Sequence, residues 1–324
     1  MSIFIQRITN IISHPNADRL NLLNLGGYQY ISNKDMNYQL GDLVLTIPEE
    51  HDVSAYPQLK EPFRLQDDMI IRRMQLRGAI SQGIIVSSEL LAEMGFNIED
   101  LPVNTDLCGL LNIPEYVRPI PEELLDVIEP YKHAFVKYHD CIYPAASLIP
   151  MGSDVSITEK IHGNQCNCII DTTSTVYVSS KGLLKSKFVF QQGVDNPYTK
   201  AVNTLLESNP WLKESNDYIQ VIGEVIPSHK GYSYGFTEPT FLVFGLYING
   251  VYVNYREHFP DNNCVPLVYT GPLLEEHFAY DDKANRYSLL ESKTICEGYC
   301  ITDGKHNTIK IKSRKFLDKN KGEA

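Results

Sequence analysis

The run Phe241-Leu242-Val243-Phe244-Gly245-Leu246-Tyr247-Ile248, then Asn249-Gly250, then Val251-Tyr252-Val253, constrains the fold of this chain more than any other segment. A strand-length apolar run stops at the dipeptide best suited to a two-residue type I′ turn, so a β-hairpin is predicted there. The pattern recurs. Cys166–Asp171 turns at Thr172-Thr173-Ser174 and returns as Val176–Ser180, and Cys296–Ile301 runs to Asp303-Gly304 and returns as Thr308–Lys312. Nearer the N-terminus, Leu20–Leu25 ends at Gly26-Gly27 before Tyr28–Ile31. Gly41-Asp42 leads into Leu43–Ile47, Ile70–Met74 precedes another glycine, and Gly83–Val86 runs into a short helix, Glu89–Met94. Chains punctuated this way build antiparallel sheets with flanking helices, an α+β class.

At 324 residues two domains with real cores are expected. Residues 1–112 read as a small Greek-key barrel of about five short strands and one helix. Residues 113–150, with Pro119, Pro121, Pro130 and Pro144 around a short helix Glu122–Ile128, read as a linker. Residues 151–319 carry the chemistry, and 320–324 are a tail. No apolar run approaches a membrane span, and the N-terminus does not resemble a signal peptide. The seven cysteines are odd in number and scattered. Cys166/Cys168 and Cys296/Cys300 have strand-like spacing, which suits core thiols in a reducing, intracellular setting. A net charge of -11 argues against a protein that coats nucleic acid over its whole surface. It leaves room for a local basic groove, for which Arg72, Arg73 and Arg77 or Lys310–Lys321 are candidates.

Within 151–319 the strand Asp154–Lys160 ends in a lysine, and His162-Gly163 follows at a turn. An amine held at a sheet edge can act as a covalent nucleophile if its surroundings keep it partly deprotonated. The strand Tyr218–Glu224 ends in a carboxylate, suited to a metal or a ribose hydroxyl if it lies in a cleft. Phe244 is a core aromatic or a platform for a stacked base. Period-two geometry puts Lys310 and Lys312 on one face of their strand, with Glu297 on the partner strand. Two lysines sharing a face repel unless an anion lies between them, and triphosphate fits that need.

In this order the elements resemble the covalent nucleotidyltransferases: ATP-dependent RNA and DNA ligases and mRNA capping enzymes. Lys160-Ile161-His162-Gly163 is similar to their nucleophile motif, and Ser179-Ser180-Lys181-Gly182 to the next. Gly223-Glu224, Phe241–Gly245, Glu297-Gly298 and Lys310-Ile311-Lys312 resemble the remaining four. His162, where DNA ligases usually carry Asp, points to the RNA ligase 2-type group. His14-Pro15-Asn16-Ala17-Asp18-Arg19-Leu20 and Gly41-Asp42-Leu43-Val44 resemble the tRNA-binding type of OB-fold. An OB-fold β-barrel ahead of the transferase domain resembles the Deinococcus/Naegleria-type RNA ligases. Capping enzymes and most DNA ligases carry that fold afterwards, and no trailing domain is expected here. This sequence departs from the pattern at Lys181, where many relatives have arginine, and at Gly245, where an Asp often follows the stacking aromatic. It departs again at Gln165, where an asparagine often contacts the incoming phosphate; the neighbouring Asn164 is the alternative.

The resemblance implies an ATP-dependent RNA ligase acting on RNA ends or nicked duplex, a monomer without membrane attachment. Lys160 would attack the α-phosphorus of ATP, form a phosphoramidate-linked AMP, and pass that AMP to a 5′-phosphate for displacement by a 3′-hydroxyl. Lys310 would grip the α-phosphate, and Lys312 the outgoing pyrophosphate or the α-phosphate. Glu224 and Glu297 would position Mg²⁺ or Mn²⁺, directly or through water. Glu224 would alternatively hold a ribose hydroxyl. Phe244 would stack on adenine and Glu159 accept from its amino group, while His162, Gly163 and Lys181 complete the nucleotide site. Asn164, Gln165, Arg72, Arg73 and Arg77 would meet nucleic acid. Lys310, Lys312 and the cation are expected to lower the Lys160 pKa from about 10.4 toward ~8. The alternatives are a catalytically decayed RNA-binding protein, a DNA ligase, or a GTP-using capping-type enzyme.

Overall fold

A computed structural model describes the chain except residues 1–2, 26–27, 99–100, 118, 139, 143–148, 228–231, 279–286, 314 and 317–324. The Gly26-Gly27 turn, Pro144, the tail and most of the basic cluster beyond Lys312 lie outside the described residues. The chain divides into two compact units, one containing Met1–Val117, the other Arg118–Tyr143 and Ile149–Ala324.

The first unit holds three small antiparallel sheets. One joins β1 (Phe4–Arg7), β5 (Leu43–Pro48) and β8 (Gly83–Ser87); another joins β2 (Ile12–Ser13), β3 (Leu20–Leu25) and β4 (Tyr28–Asn33). β6 (Met74–Leu76) pairs with β7 (Ala79–Ser81). Of the expected strand Ile70–Met74 only Met74 lies in β6; Ile70 makes an isolated bridge to Asp52. β5 is buried on both faces. Leu45 and Ile47 enter a cluster with Ile3, Ile5 and Val86, whereas Val44 enters another with Leu23, Tyr30 and Ile85. This is period-two alternation serving two cores at once.

No continuous closed ladder joins the described strands into a barrel. Near β4 side chains stand in for the ladder: the backbone N–H of Gln29 donates to Gln82 Oε1 at 3.1 Å, and that of Ile31 to Ser81 Oγ at 3.0 Å. Buried backbone groups are thereby satisfied without a regular strand pair. The helix runs Ser88–Glu93, started by Ser87, whose hydroxyl accepts from Leu90 N.

In the second unit two five-stranded sheets dominate. The first has the order β10 (Asp140–Ile142), β20 (Thr308–Lys312), β19 (Gly298–Asp303), β11 (Asp154–Lys160), β18 (Leu267–Pro272). The second has the order β13 (Val176–Ser180), β12 (Asn164–Ile170), β15 (Ile219–Ile226), β16 (Thr240–Ile248), β17 (Val251–Val253). All pairings are antiparallel except β10 with β20. The helix Pro197–Ser208 covers the second sheet. Asn196 caps it in a reciprocal box with Thr199, Pro197 opens it, and Ala201, Val202, Leu205 and Leu206 form its buried face.

Two expectations change here. Residues 113–150 do not form a separate linker: β9 (Ile128–Pro130) pairs with β14 (Phe188–Phe190), and β10 adds an edge strand. The expected helix Glu122–Ile128 is a 3-10 helix, Glu122–Val127, with Ile128 already in β9. Cys166, Cys168 and Cys296 are buried cysteines, and Cys300 is a half-buried one. No helix among the described residues is long and apolar enough to cross a membrane.

Candidate active site

Strand register brings the candidate lysines together. Lys160 lies opposite Gly298 in β19, and Gly298 lies opposite Lys312 in β20. One row back, Thr158, Cys300 and Lys310 form the parallel set. Residues two apart share a face, so all three lysines project from one side of this sheet. The rows pack closely because residue 298 is glycine. Its φ is +150°, and a Cβ there would lie 2.0 Å from Ile311 O.

Glu297 sits just before β19 rather than within it, its carbonyl accepting from Ser313 N at 2.8 Å. Its buried carboxylate is the hub of the site. Oε2 accepts from Lys160 Nζ at 2.7 Å and lies 3.3 Å from His162 Nδ1; Oε1 lies 3.5 Å from Lys312 Nζ. Burial alone would push this carboxyl up, but the Lys160 charge, the His162 bond and the Lys312 charge outweigh it and hold it at about 2. Glu297, expected from the resemblance as a metal position, also ties three motif residues together through one carboxylate.

Lys160 differs from expectation. Burial lowers its pKa, but the charges of Glu297 and Glu224 outweigh burial and raise it above the ordinary lysine value. The two strand lysines do not reverse this, because the Glu297 carboxylate is bonded directly to the amine at 2.7 Å. Lys312 does shift down, through burial first and then through Lys160 and Lys310.

The second sheet supplies the opposite wall. β15 continues two residues past Glu224, so this carboxylate stands inside the strand instead of ending it. Its Oε1 accepts from Gly163 N at 3.0 Å. Burial first, then the charge of Glu297, pushes its carboxyl up, against Lys160 and Lys310. A Cβ on Gly163 would lie 2.6 Å from both Glu224 Cγ and Val225 O. Gly163→Ala is therefore expected to displace Glu224 and to destabilise the protein by about 1–3 kcal/mol. Thermal melting tests this, and a wild-type midpoint would remove the packing argument.

Phe244 is re-aimed by a bulge. The β15–β16 register passes from Ile222↔Gly245 to Gly223↔Val243, so the ladder skips Phe244. Residue 244 is half-exposed between buried neighbours and lines the pocket.

That pocket encloses about 250 Å³ and is lined by Lys160, Glu159, Gln165, Glu224, Phe244 and Lys310 among others. Glu159 is buried and its Oε2 accepts from Leu289 N at 2.7 Å. Gln165 lies on the pocket; Asn164, its neighbour in the strand, does not, as alternation dictates. His162 stacks edge-on against Tyr232 and Phe316, and its backbone N–H donates to Tyr234 Oη at 2.8 Å. Lys181 opens the short helix Lys181–Lys185, exposed and outside the pocket lining.

A family model described as RNA ligase matches residues 153–315, the span that carries all of these groups. The chain belongs to the RNA ligase family. No curated protein matches this ligase significantly in sequence. Among solved structures it is similar to Naegleria gruberi RNA ligase. A mutant of that enzyme with AMP and Mn is 20% identical, with 98% of each chain covered and a TM-score of 0.67. A mutant with ATP and Mn is 18% identical, with 98% of this chain and 97% of that one covered and a TM-score of 0.68. The same enzyme with PPi gives 19% identity, 98% coverage of both chains and a TM-score of 0.66. At this identity the likeness is one of fold.

Among the pocket residues of the ligase that were not legible as such in the sequence are Tyr138, Tyr252 and His306. Tyr138 lies in the presumed linker, its ring centroid 5.3 Å from that of Phe244 and 5.7 Å from Lys310 Nζ. Arg72, Arg73 and Arg77 belong to the first unit. Arg72 is paired with Asp68 and Arg73 with Glu49, so both charges are neutralised locally. Arg77 is exposed at a left-handed turn position, φ 50°.

Proposed function

We propose that this RNA ligase joins 3′-hydroxyl and 5′-phosphate ends using ATP, through AMP carried on Lys160. The supporting observation is one pocket that holds the amine, the bulged aromatic Phe244, the carboxylate of Glu224 and the ammonium of Lys310. The Naegleria gruberi enzyme of like fold holds ATP and Mn, AMP and Mn, or PPi, the substrate and products of such a charging step.

Lys160 Nζ forms a bond to the α-phosphorus as the bond from phosphorus to pyrophosphate breaks. A 5′-phosphate oxygen then displaces the lysine and leaves AMP on the RNA end. Finally the 3′-hydroxyl attacks that 5′-phosphorus, expels AMP and loses its proton. The amine attacks only when neutral, so its pairing with Glu297 has to loosen when nucleotide binds. Lys310 lines the pocket and neutralises phosphate charge there; Lys312, paired with Glu297 on the same sheet face, would meet the leaving pyrophosphate or the α-phosphate. Phe244 offers its face to the base.

Glu224 and Glu297 suit a hard divalent cation. They are carboxylates in mutual repulsion, a strain that a cation relieves. Among the described residues no group of three or more His, Cys, Asp or Glu forms a ready cage. Mg²⁺ or Mn²⁺ would therefore be held by these two side chains with water and phosphate oxygens, and would supply charge neutralisation at the phosphates. Gln165 is the better placed of the two polar candidates for the incoming 5′-phosphate. The first unit would track the nucleic acid, with Arg77 less committed to an internal partner than Arg72 or Arg73. Free buried thiols support a reducing, intracellular setting.

Incubation with labelled ATP and Mn²⁺ should give a protein–AMP adduct, and labelled GTP should give little. Matched nicks differing only in RNA or DNA at the 3′-hydroxyl strand should be sealed preferentially when that strand is RNA. Absence of any adduct, or equal sealing of both nicks, counts against this reading.

A further inference from the structure

His306 lies in the loop between β19 and β20, remote in sequence from the motifs of the second sheet. The loop is tied by Asp303, whose carboxylate accepts from Lys305 N and Asn307 N, each at 2.9 Å, and from Asn307 Nδ2 at 2.8 Å. His306 adopts a left-handed φ of 65° within it. This delivers a buried imidazole from the first sheet onto the bulge of the second.

The imidazole is held on three sides. Nδ1 hydrogen-bonds Tyr247 Oη at 2.6 Å. The ring stacks on Tyr252, with centroids 4.4 Å apart and planes at 11°, and its centroid lies 4.9 Å from that of Tyr138. Burial lowers the imidazole's pKa to about 4, so the ring is neutral at physiological pH. Gly245 makes room for this arrangement: a Cβ there would lie 2.6 Å from His306 Cε1. The ring thus fills space beside the residue where an Asp is expected from the resemblance.

We infer that His306 is a positioning residue for ATP recognition: bonded to Tyr247, stacked on Tyr252 and seated against Gly245, it clamps the strand beside the bulge at Phe244 and ties the base platform to the hairpin that carries Lys310 and Lys312. The inference rests on the reading of this pocket as the ATP site. The clamp is specific in its chemistry, because it needs a polar partner for Tyr247 and a flat face for Tyr252 on one ring. Phenylalanine preserves the flat stack on Tyr252 and removes the hydrogen bond to Tyr247. Glutamine preserves a donor and an acceptor on a flexible stem.

The test compares wild type, His306→Phe and His306→Gln in adduct formation at varied ATP, and in sealing of a nick whose 5′ end already carries AMP. His306→Phe is expected to raise KM for ATP at least tenfold with a smaller change in kcat. His306→Gln should recover part of that loss, and both variants should seal the pre-adenylylated nick near the wild-type rate. That second assay also reports that the variants are folded. A wild-type KM for ATP in His306→Phe overturns the clamp, as does an equal loss in both assays, which marks a merely structural role. Failure of wild type to form any adduct would instead strike the ATP reading itself.

Discussion

Lys160→Ala is expected to reduce protein–AMP formation on the order of 10⁴-fold or below detection, as loss of a covalent nucleophile does. The fold should survive. Glu297 keeps Lys312 at 3.5 Å and His162 at 3.3 Å after the substitution, so the buried carboxylate is not left alone. Sealing of a nick whose 5′ end already carries AMP should persist, because the lysine has no bond to make in that step. Gel analysis with labelled ATP and with pre-adenylylated RNA separates the two. Equal labelling of wild type and variant would show that another residue carries the AMP.

Removing Glu297 is the second large effect, and it acts on stability and chemistry together. Glu297→Gln takes away the charge that Lys160, His162 and Lys312 share at a site only 2% exposed. Breaking a buried ion pair from one side costs about 3–5 kcal/mol. The pH dependence has a definite sign. The carboxyl is lowered from 4.5 to about 2 on folding, so its contribution is fully present above its unfolded value and disappears as pH falls through about 2. A shift of that size is on the order of 3 kcal/mol. Wild type should therefore lose stability between about pH 5 and pH 2 more steeply than Glu297→Gln, and the variant should melt several degrees lower at pH 7. Adduct formation should also fall, since the buried ammonium of Lys160 loses the group that orients it. Identical acid unfolding curves for the two proteins would refute the hub role.

Much of the second unit was legible because its information is local. Alternation over Asp154–Lys160 located β11 to the residue, and Asn249-Gly250 placed the β16–β17 turn. The helix that covers the second sheet opens on an equally local pair, Asn196 as cap and Pro197 in the first turn. Prolines misled the reading of 113–150. They break helices, but they do not prevent short edge strands, and β9 and β10 pair with partners far along the chain. In the first unit, strand-length runs were recognisable, whereas side-chain atoms of Gln82 and Ser81 bonding to β4 left no pattern to read.

Residue types and spacing alone offered the candidate groups: a lysine before His-Gly, two lysines two apart, two glutamates and an aromatic in a strand. Tertiary structure decided what each of them meets. Register across β11, β19 and β20 put Lys160 and Lys312 on either side of Gly298, and Glu297 among the charges of both. A skipped ladder position turned Phe244 toward the pocket, and a loop from the other sheet set His306 against the neighbouring Gly245. The direction of the Lys160 pKa followed from those placements and ran opposite to the sequence expectation. Charge sign is a property of the residue, but a pKa depends on distance and burial, and strand pairing sets both.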